Sequence, residues 1–329
     1  MIIDPLTNTY DTSTISGLPN GGFKWSNGIL APDGKIYSPP YNEATSFLII
    51  DPNTNTIDTN TIIGFPNLGQ KYQSICLSTN GKLYVPPFDL NNSVIIDIDS
   101  PISSISFISA FYNDSTRKLS CVGTTFLTTI LVGDNILITL QNGQKFTGYV
   151  ETVNNDLELT FIFNLGNLFT PIISLQKTRL ADLTSIPQIT SLGKYNSSCL
   201  APNGKIYCSP FTANNVLIIN PSNNSIDTST ISGFPAMTRK YSGAVLSMDG
   251  NIYMMPRDRT DVLIINPSND SYDTTTITVS SDIQKYQGGI LAPNNNIYAI
   301  PRNATNIGII KTGLPVIPNW PLQSHFNNS

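Results

Sequence analysis

KYSGAVLSMDGNIYMMP, residues 240–256, has four relatives in the same chain. They are KWSNGILAPDGKIYSPP from Lys24, KYQSICLSTNGKLYVPP from Lys71, KYNSSCLAPNGKIYCSP from Lys194 and KYQGGILAPNNNIYAIP from Lys285. Successive lysines lie 47, 123, 46 and 45 residues apart. A fixed period in this range marks a repeat architecture. Within a unit, GILAPDGKIYSPP reads as two strands joined by an Asp-Gly turn, a strong hairpin signal. SFLIIDPNTNTIDTNTI follows as a third strand, a turn and a fourth strand rich in Thr and Ile. Helical periodicity is absent. Four strands per period are a β-propeller blade.

Five repeats predict an all-β, five-bladed propeller, with six blades as the alternative. The fifth unit has no Asp-Thr strand after NIGIIKTGLP, so the N-terminal strand Tyr10–Ile15 is expected to close the ring and remove its open edge. MIID at the N-terminus copies the third-strand pattern and is one such segment too many, which is the case for six. Each unit also carries an Asp 12 or 13 residues before its lysine: Asp11, Asp58, Asp182, Asp227 and Asp273. Five alternating Asp and Lys are expected to form links from the outer strand of one blade to the entry of the next.

The long second interval places an insertion between the third and fourth strands of blade 2. FLTTILVGDNILITLQNGQKFTGYVETVNNDLELTFIF alternates apolar and polar residues, with turns expected at 132–135, 142–143 and 154–156. This predicts a small β-barrel or sandwich domain over 100–180, inserted in a discontinuous propeller of 1–99 and 181–329. Loops between the second and third strands, at 41–46, 88–93, 211–215, 257–261 and 302–306, share one face and differ among repeats. The insert is expected on the other face.

Composition narrows the function. Charged residues are 12% and the net charge is −4, without a basic run, which argues against nucleic acid as a partner. No signal peptide and no membrane-length apolar run is visible. Asn-x-Ser/Thr sequons, as at Asn196, Asn269 and Asn303, follow from an Asn-rich chain and predict little. Cys76 and Cys199 occupy a repeat position that holds Ile29, Val245 and Ile290 elsewhere, so they read as core residues. Cys121 and Cys208 complete the set, and no spacing suggests a metal.

His325 is the only histidine, which leaves Ser-His-Asp and Cys-His catalysis without a base. Zinc lacks ligands. Glutamate is scarce, at Glu43, Glu151 and Glu158, so a carboxylate pair is hard to assemble. A calcium site in the central channel would have to be built from carboxylates and carbonyls, since no Asp-x-Asp-x-Asp-Gly loop occurs. No phosphate loop or dinucleotide fingerprint occurs. The chain is therefore expected to be no enzyme, with no catalytic residue, metal or cofactor.

Trp25, Tyr72, Tyr195, Tyr241 and Tyr286 recur, as do Tyr37, Tyr84, Tyr207, Tyr253 and Tyr298. They read as packing between blades rather than as five equivalent sugar sites. Residues that differ between repeats are the better binding candidates. Arg257, Arg259 and Arg302 stand out on the loop face and suit a carboxylate or an acidic partner.

The units resemble a propeller repeat of bacterial and giant-virus proteins, written KYxGGxLAPNGKIYxIP…VLIIDPxTNTxDTTTI. The likeness covers nearly everything outside about residues 100–180, with KYQGGILAPNNNIYAIP and VLIINPSNDSYDTTTI as the nearest copies. Within the insert, CVGTTFLTTILVGDNILI…GYVETVNNDLELTF is similar to a small β module of phage and large-virus structural proteins. The resemblances imply a virion component assembled in the host cytoplasm, whose partners are capsid or fibre proteins. A glycan-binding propeller used for host attachment is the alternative.

Overall fold

The structure is a computed structural model that describes residues 1–99, 103–113, 115–124, 130, 135–142, 145–161, 171–178, 181–190 and 193–313. His325, residues 132–134 and Gly143 lie outside them. Every regular element among the described residues is a β-strand.

The third repeat shows how the sequence makes a sheet. Tyr195–Leu200, Ile206–Pro210, Leu217–Asn220 and Ser225–Asp227 pair antiparallel in that order. Asn203-Gly204 forms the first turn. Asn203 accepts the Lys205 N–H at 3.0 Å, and Gly204, at φ 77°, donates to the Ala201 carbonyl at 2.9 Å. Positive φ is the reason glycine stands there. The first repeat gives Ile29–Leu30, Ile36–Ser38, Leu48–Asp51 and Thr56–Asp58; the fourth gives Tyr241–Leu246, Ile252–Pro256, Leu263–Asn266 and Ser271–Asp273. The fifth has three strands, Tyr286–Leu291, Asn296–Pro301 and Gly308–Lys311.

The N-terminal strand is not where the sequence placed it. Thr9–Asp11 pairs with Ile2–Asp4, with Ile2 opposite Asp11 and Ile3 opposite Tyr10. Third and fourth strands of the repeats meet in the same register, as in Ile264 opposite Asp273 and Ile265 opposite Tyr272. The N-terminus is thus a half repeat held by its own hairpin, because MIID supplies the local partner that Thr9–Asp11 requires.

The second repeat is split. Cys76–Leu77, Leu83–Val85 and Val94–Ile96 are followed, 85 residues later in number, by Ala181–Asp182, with Ala181 opposite Ile96 and Asp182 opposite Ile95. The chain between leaves and re-enters at adjacent strands. It forms a seven-stranded sheet in the order Ser103–Ile105, Ile172–Thr178, Asn135–Leu140, Lys145–Asn155, Glu158–Phe161, Lys118–Val122, Ser109–Asn113. The long strand Lys145–Asn155 pairs with Asn135–Leu140 through its first half and, with register shifts, with Glu158–Phe161 through its second. Alternation puts Ile136, Ile138 and Leu140 inside with Leu119, Leu159 and Phe161 in a separate apolar core.

Contacts divide the chain into two compact units: Met1–Gly69 with Ile98–Leu180, and Gln70–Asp97 with Ala181–Ser329. The second unit holds four repeat sheets. Their inner strands, Cys76–Leu77, Tyr195–Leu200, Tyr241–Leu246 and Tyr286–Leu291, adjoin in sequence order, as in a propeller. Between them lie successive apolar layers, one built from Cys76, Tyr84, Ile95, Ile206 and Cys208, the next from Cys199, Tyr207, Ile252 and Met254. Gly243 marks a close approach of two inner strands. A Cβ on it would stand 2.5 Å from Gly288 Cα, and its φ is +85°.

Among the described residues of either unit, the expected Asp–Lys links are not seen. Each Asp caps its own turn instead. Asp227 accepts from Ser229 N and Thr230 N at 2.7 and 3.0 Å, and from both hydroxyls. Asp11, Asp58, Asp182 and Asp273 do the same with residues two and three ahead. Backbone donors two residues away reach a carboxylate at little entropic cost, so the local turn wins over a distant ammonium.

Candidate functional site

The repeat lysines open the inner strands, and Lys71, Lys194, Lys240 and Lys285 are buried. Their main chains build a belt through the second unit. The Lys194, Lys240 and Lys285 N–H groups donate to the carbonyls of Phe88, Phe211 and Arg257 in the preceding repeat, at 2.9–3.0 Å. The Lys71, Lys194, Lys240 and Lys285 carbonyls accept from Phe88, Phe211, Arg257 and Arg302 of their own repeat, at 2.7–3.0 Å. The ammonium groups satisfy carbonyls of the irregular chain before the strand. Lys240 Nζ donates to Thr212 and Met237 at 2.8 and 2.6 Å, and Lys285 Nζ to Asp282. Burial pushes Lys71, Lys194 and Lys240 down to about 8; Lys285 is lowered for the same reason.

The belt lines up one loop position from each repeat: Phe88, Phe211, Arg257 and Arg302. Phe88 and Phe211 meet with ring centroids 5.3 Å apart, and the Arg257 guanidinium lies 5.1 Å over the Phe211 ring. This places a cation against an aromatic face and leaves Arg257 7% exposed. The three predicted arginines have different fates. Arg257 is packed into the arc. Arg259 ion-pairs with Asp261, which also accepts from the Tyr241 hydroxyl. Arg302 is exposed, and its Nη1 donates to Gln287 Oε1 at 2.9 Å. Beside them Arg239 pairs with Asp258 at 2.9 Å, and Asp258 accepts the Gln284 N–H at 2.6 Å.

A line of polar groups crosses the inner strands at the same level. Asn196 Nδ2 donates to Ser242 Oγ at 3.1 Å, and Ser242 Oγ donates to the Gln287 carbonyl at 2.9 Å. The belt, the arc and Gln287 were not singled out in the sequence. Aligning the repeats so that Phe88, Phe211, Arg257 and Arg302 share one column is the signal that finds them.

The recurring aromatics are scaffold in the second unit. Tyr72, Tyr195 and Tyr241 are at most 1% exposed, and Tyr195 donates to Asn215 Oδ1 at 2.5 Å. Tyr84 binds Asn224 Oδ1 at 2.9 Å, and Tyr207 binds Asp270, each in the next third–fourth turn or its own neighbour repeat. All four cysteines are free and buried, with thiols raised by burial, Cys121 and Cys199 to about 12. Such thiols are poor nucleophiles. Among the described residues no group of three or more His, Cys, Asp or Glu is placed to hold a metal, and no helix is long and apolar enough to cross a membrane.

No protein-family model matches the chain, and no curated protein does. Solved structures do. Virginiamycin B lyase from Staphylococcus aureus is similar at 12% identity, over 92% of this chain and 86% of that one, with a TM-score of 0.42. A putative gluconolactonase is similar at 11% identity over 88% and 75%, with a TM-score of 0.41. An auxiliary nutrient binding protein from Bacteroides ovatus is similar at 11% over 88% and 55%, with a TM-score of 0.43. At such identities the likeness concerns fold and assigns no activity here. It does correct one expectation. Enzymes stand among the similar structures, so the expectation that the chain is no enzyme is withdrawn.

Proposed function

We propose that this chain is an interaction protein of a large assembly, in which repeat sheets form a stiff frame and the seven-stranded sheet meets a neighbouring protein. One observation carries the reading. Ile108, Phe111 and Val122 are 81%, 65% and 53% exposed, at the edge of that sheet. Ser109 lies opposite Val122 and Phe111 opposite Ser120, so Phe111 and Val122 are diagonal neighbours on one face. Ile108 adjoins the pair, with its N–H 2.7 Å from the Val122 carbonyl and its side chain over Gly123. An apolar cluster rimmed by Ser109, Asn113 and Ser120 has the make-up of a protein contact. The resemblance of repeat and insert to large-virus and phage modules supports a virion setting, with a capsid or fibre protein as the neighbour.

The test is a chain carrying Phe111→Asp and Val122→Asp. Co-sedimentation with the assembly should be lost while the melting temperature stays within a few degrees of wild type, since both side chains are exposed. Full retention in the assembly would remove the insert from the contact.

A further inference from the structure

We propose that Arg302 and Gln287 form a carboxylate clamp on the loop face of the second unit, a site independent of the seven-stranded sheet. The argument starts from the fate of each arginine on that face. Arg239 has Asp258, Arg259 has Asp261, and Arg257 has the Phe211 ring. Arg302 has no carboxylate within ion-pair distance among the described residues; its partner is the neutral Gln287 amide, at 2.9 Å. An exposed guanidinium held from one side by a neutral acceptor keeps its remaining N–H donors for a ligand. Its planar fork matches a carboxylate through two parallel hydrogen bonds.

Gln287 strengthens the case. Its side-chain oxygen is used by Arg302, so its amide N–H₂ stays available on an exposed side chain. Its backbone is fixed from behind by Ser242, which Asn196 holds in turn. Arg302 is fixed through its own backbone, whose N–H donates to the Lys285 carbonyl at 2.7 Å. Donors positioned before binding lose little entropy on binding. Behind the clamp, main-chain hydrogen bonds of the belt join Lys285 to Arg302 and to Arg257. The nearest carboxylate in sequence, Asp282, accepts from the Ser280 hydroxyl at 2.8 Å, and Asp258 and Asp261 pair with Arg239 and Arg259. An incoming carboxylate therefore meets a guanidinium that has no carboxylate partner among the described residues.

The full chain, labelled with ¹⁵N, tests this at constant ionic strength. Acetate should give a saturable shift of the Gln287 side-chain amide and the Arg302 Nε–H, and acetamide, its uncharged counterpart, should not. Arg302→Gln should weaken acetate binding about tenfold or more, with an unchanged melting temperature showing that the exposed substitution leaves the fold intact. Gln287→Leu, read at the Arg302 Nε–H, should weaken it less. Glutarate and a tetraglutamate peptide separate the two sources of the carboxylate. Tighter binding of glutarate points to a small organic acid, and tighter binding of the peptide to an acidic protein segment. No saturable shift with any of the three, or equal affinity in the Arg302→Gln chain, overturns the clamp.

Discussion

Lys240 shows what one repeated residue does. Its ammonium lies between the Thr212 and Met237 carbonyls, in a place too dry for a free charge. Lys240→Met should leave those carbonyls without a donor and cost about 1–3 kcal/mol, read as a lower urea midpoint. The same burial sets a pH dependence. Lys71, Lys194 and Lys240 fall to about 8 in the folded chain, against about 10.4 when unfolded. Between those values the unfolded state binds more protons, so stability rises with pH from about 8 to about 10.4. Discounted for solvent screening, the gain should be on the order of 1 kcal/mol per lysine and smaller in Lys240→Met, as urea midpoints at about pH 7.5 and 9.5 will report. Acid acts through the turn carboxylates. Hydrogen bonds from Thr276 and Thr275 hold Asp273 down to about 2, so its contribution is present above its unfolded value, about 3.9, and is lost as pH falls towards 2.

At the scale of the element, the inner hairpin was readable because its signals are local. Alternation set the strands, and Asp-Gly or Asn-Gly set the turn. The turn Asp residues were legible too, since Ser, Thr or Asn follows each of them at the second position and Ser or Thr at the third. Reading them by distance to a lysine missed the nearer partner. The hairpin of Ile2–Asp4 and Thr9–Asp11 had the same kind of local signal in MIID. The arc of Phe88, Phe211, Arg257 and Arg302 lay beyond such reading, because contact between residues 45 or more apart depends on how sheets stack. Gly243 belongs to this scale. Gly243→Ala should combine an unfavourable φ with a clash against Gly288 backbone and cost about 2–4 kcal/mol. Gly250→Ala, at φ +84° with nothing within 4 Å of its Cβ, should cost only about 1–2 kcal/mol. Equal losses in the two chains would show that the sheets do not approach closely at Gly243.

For the whole molecule, repetition and difference divide the work. Repeated positions are spent on turns, buried lysines and buried tyrosines, and in the second unit the lysines and the inner-strand tyrosines face inward. What differs is the loop position that carries arginine in the last two repeats, and the chain between 97 and 181. Because Ala181 and Asp182 pair with Ile96 and Ile95, a short Asn-rich turn in place of residues 98–180 should let the second repeat sheet close. The shortened chain should keep a cooperative melt and lose the assembly. The most direct measurement is photo-crosslinking in the assembly from a benzophenone side chain at Phe111, compared with one at Tyr272. Tyr272 is an aromatic on an outer repeat strand, 43% exposed. A discrete crosslink to a second protein from position 111 and none from 272 is the predicted result. A crosslink from 272 alone would contradict the account, placing the contact on the repeated frame.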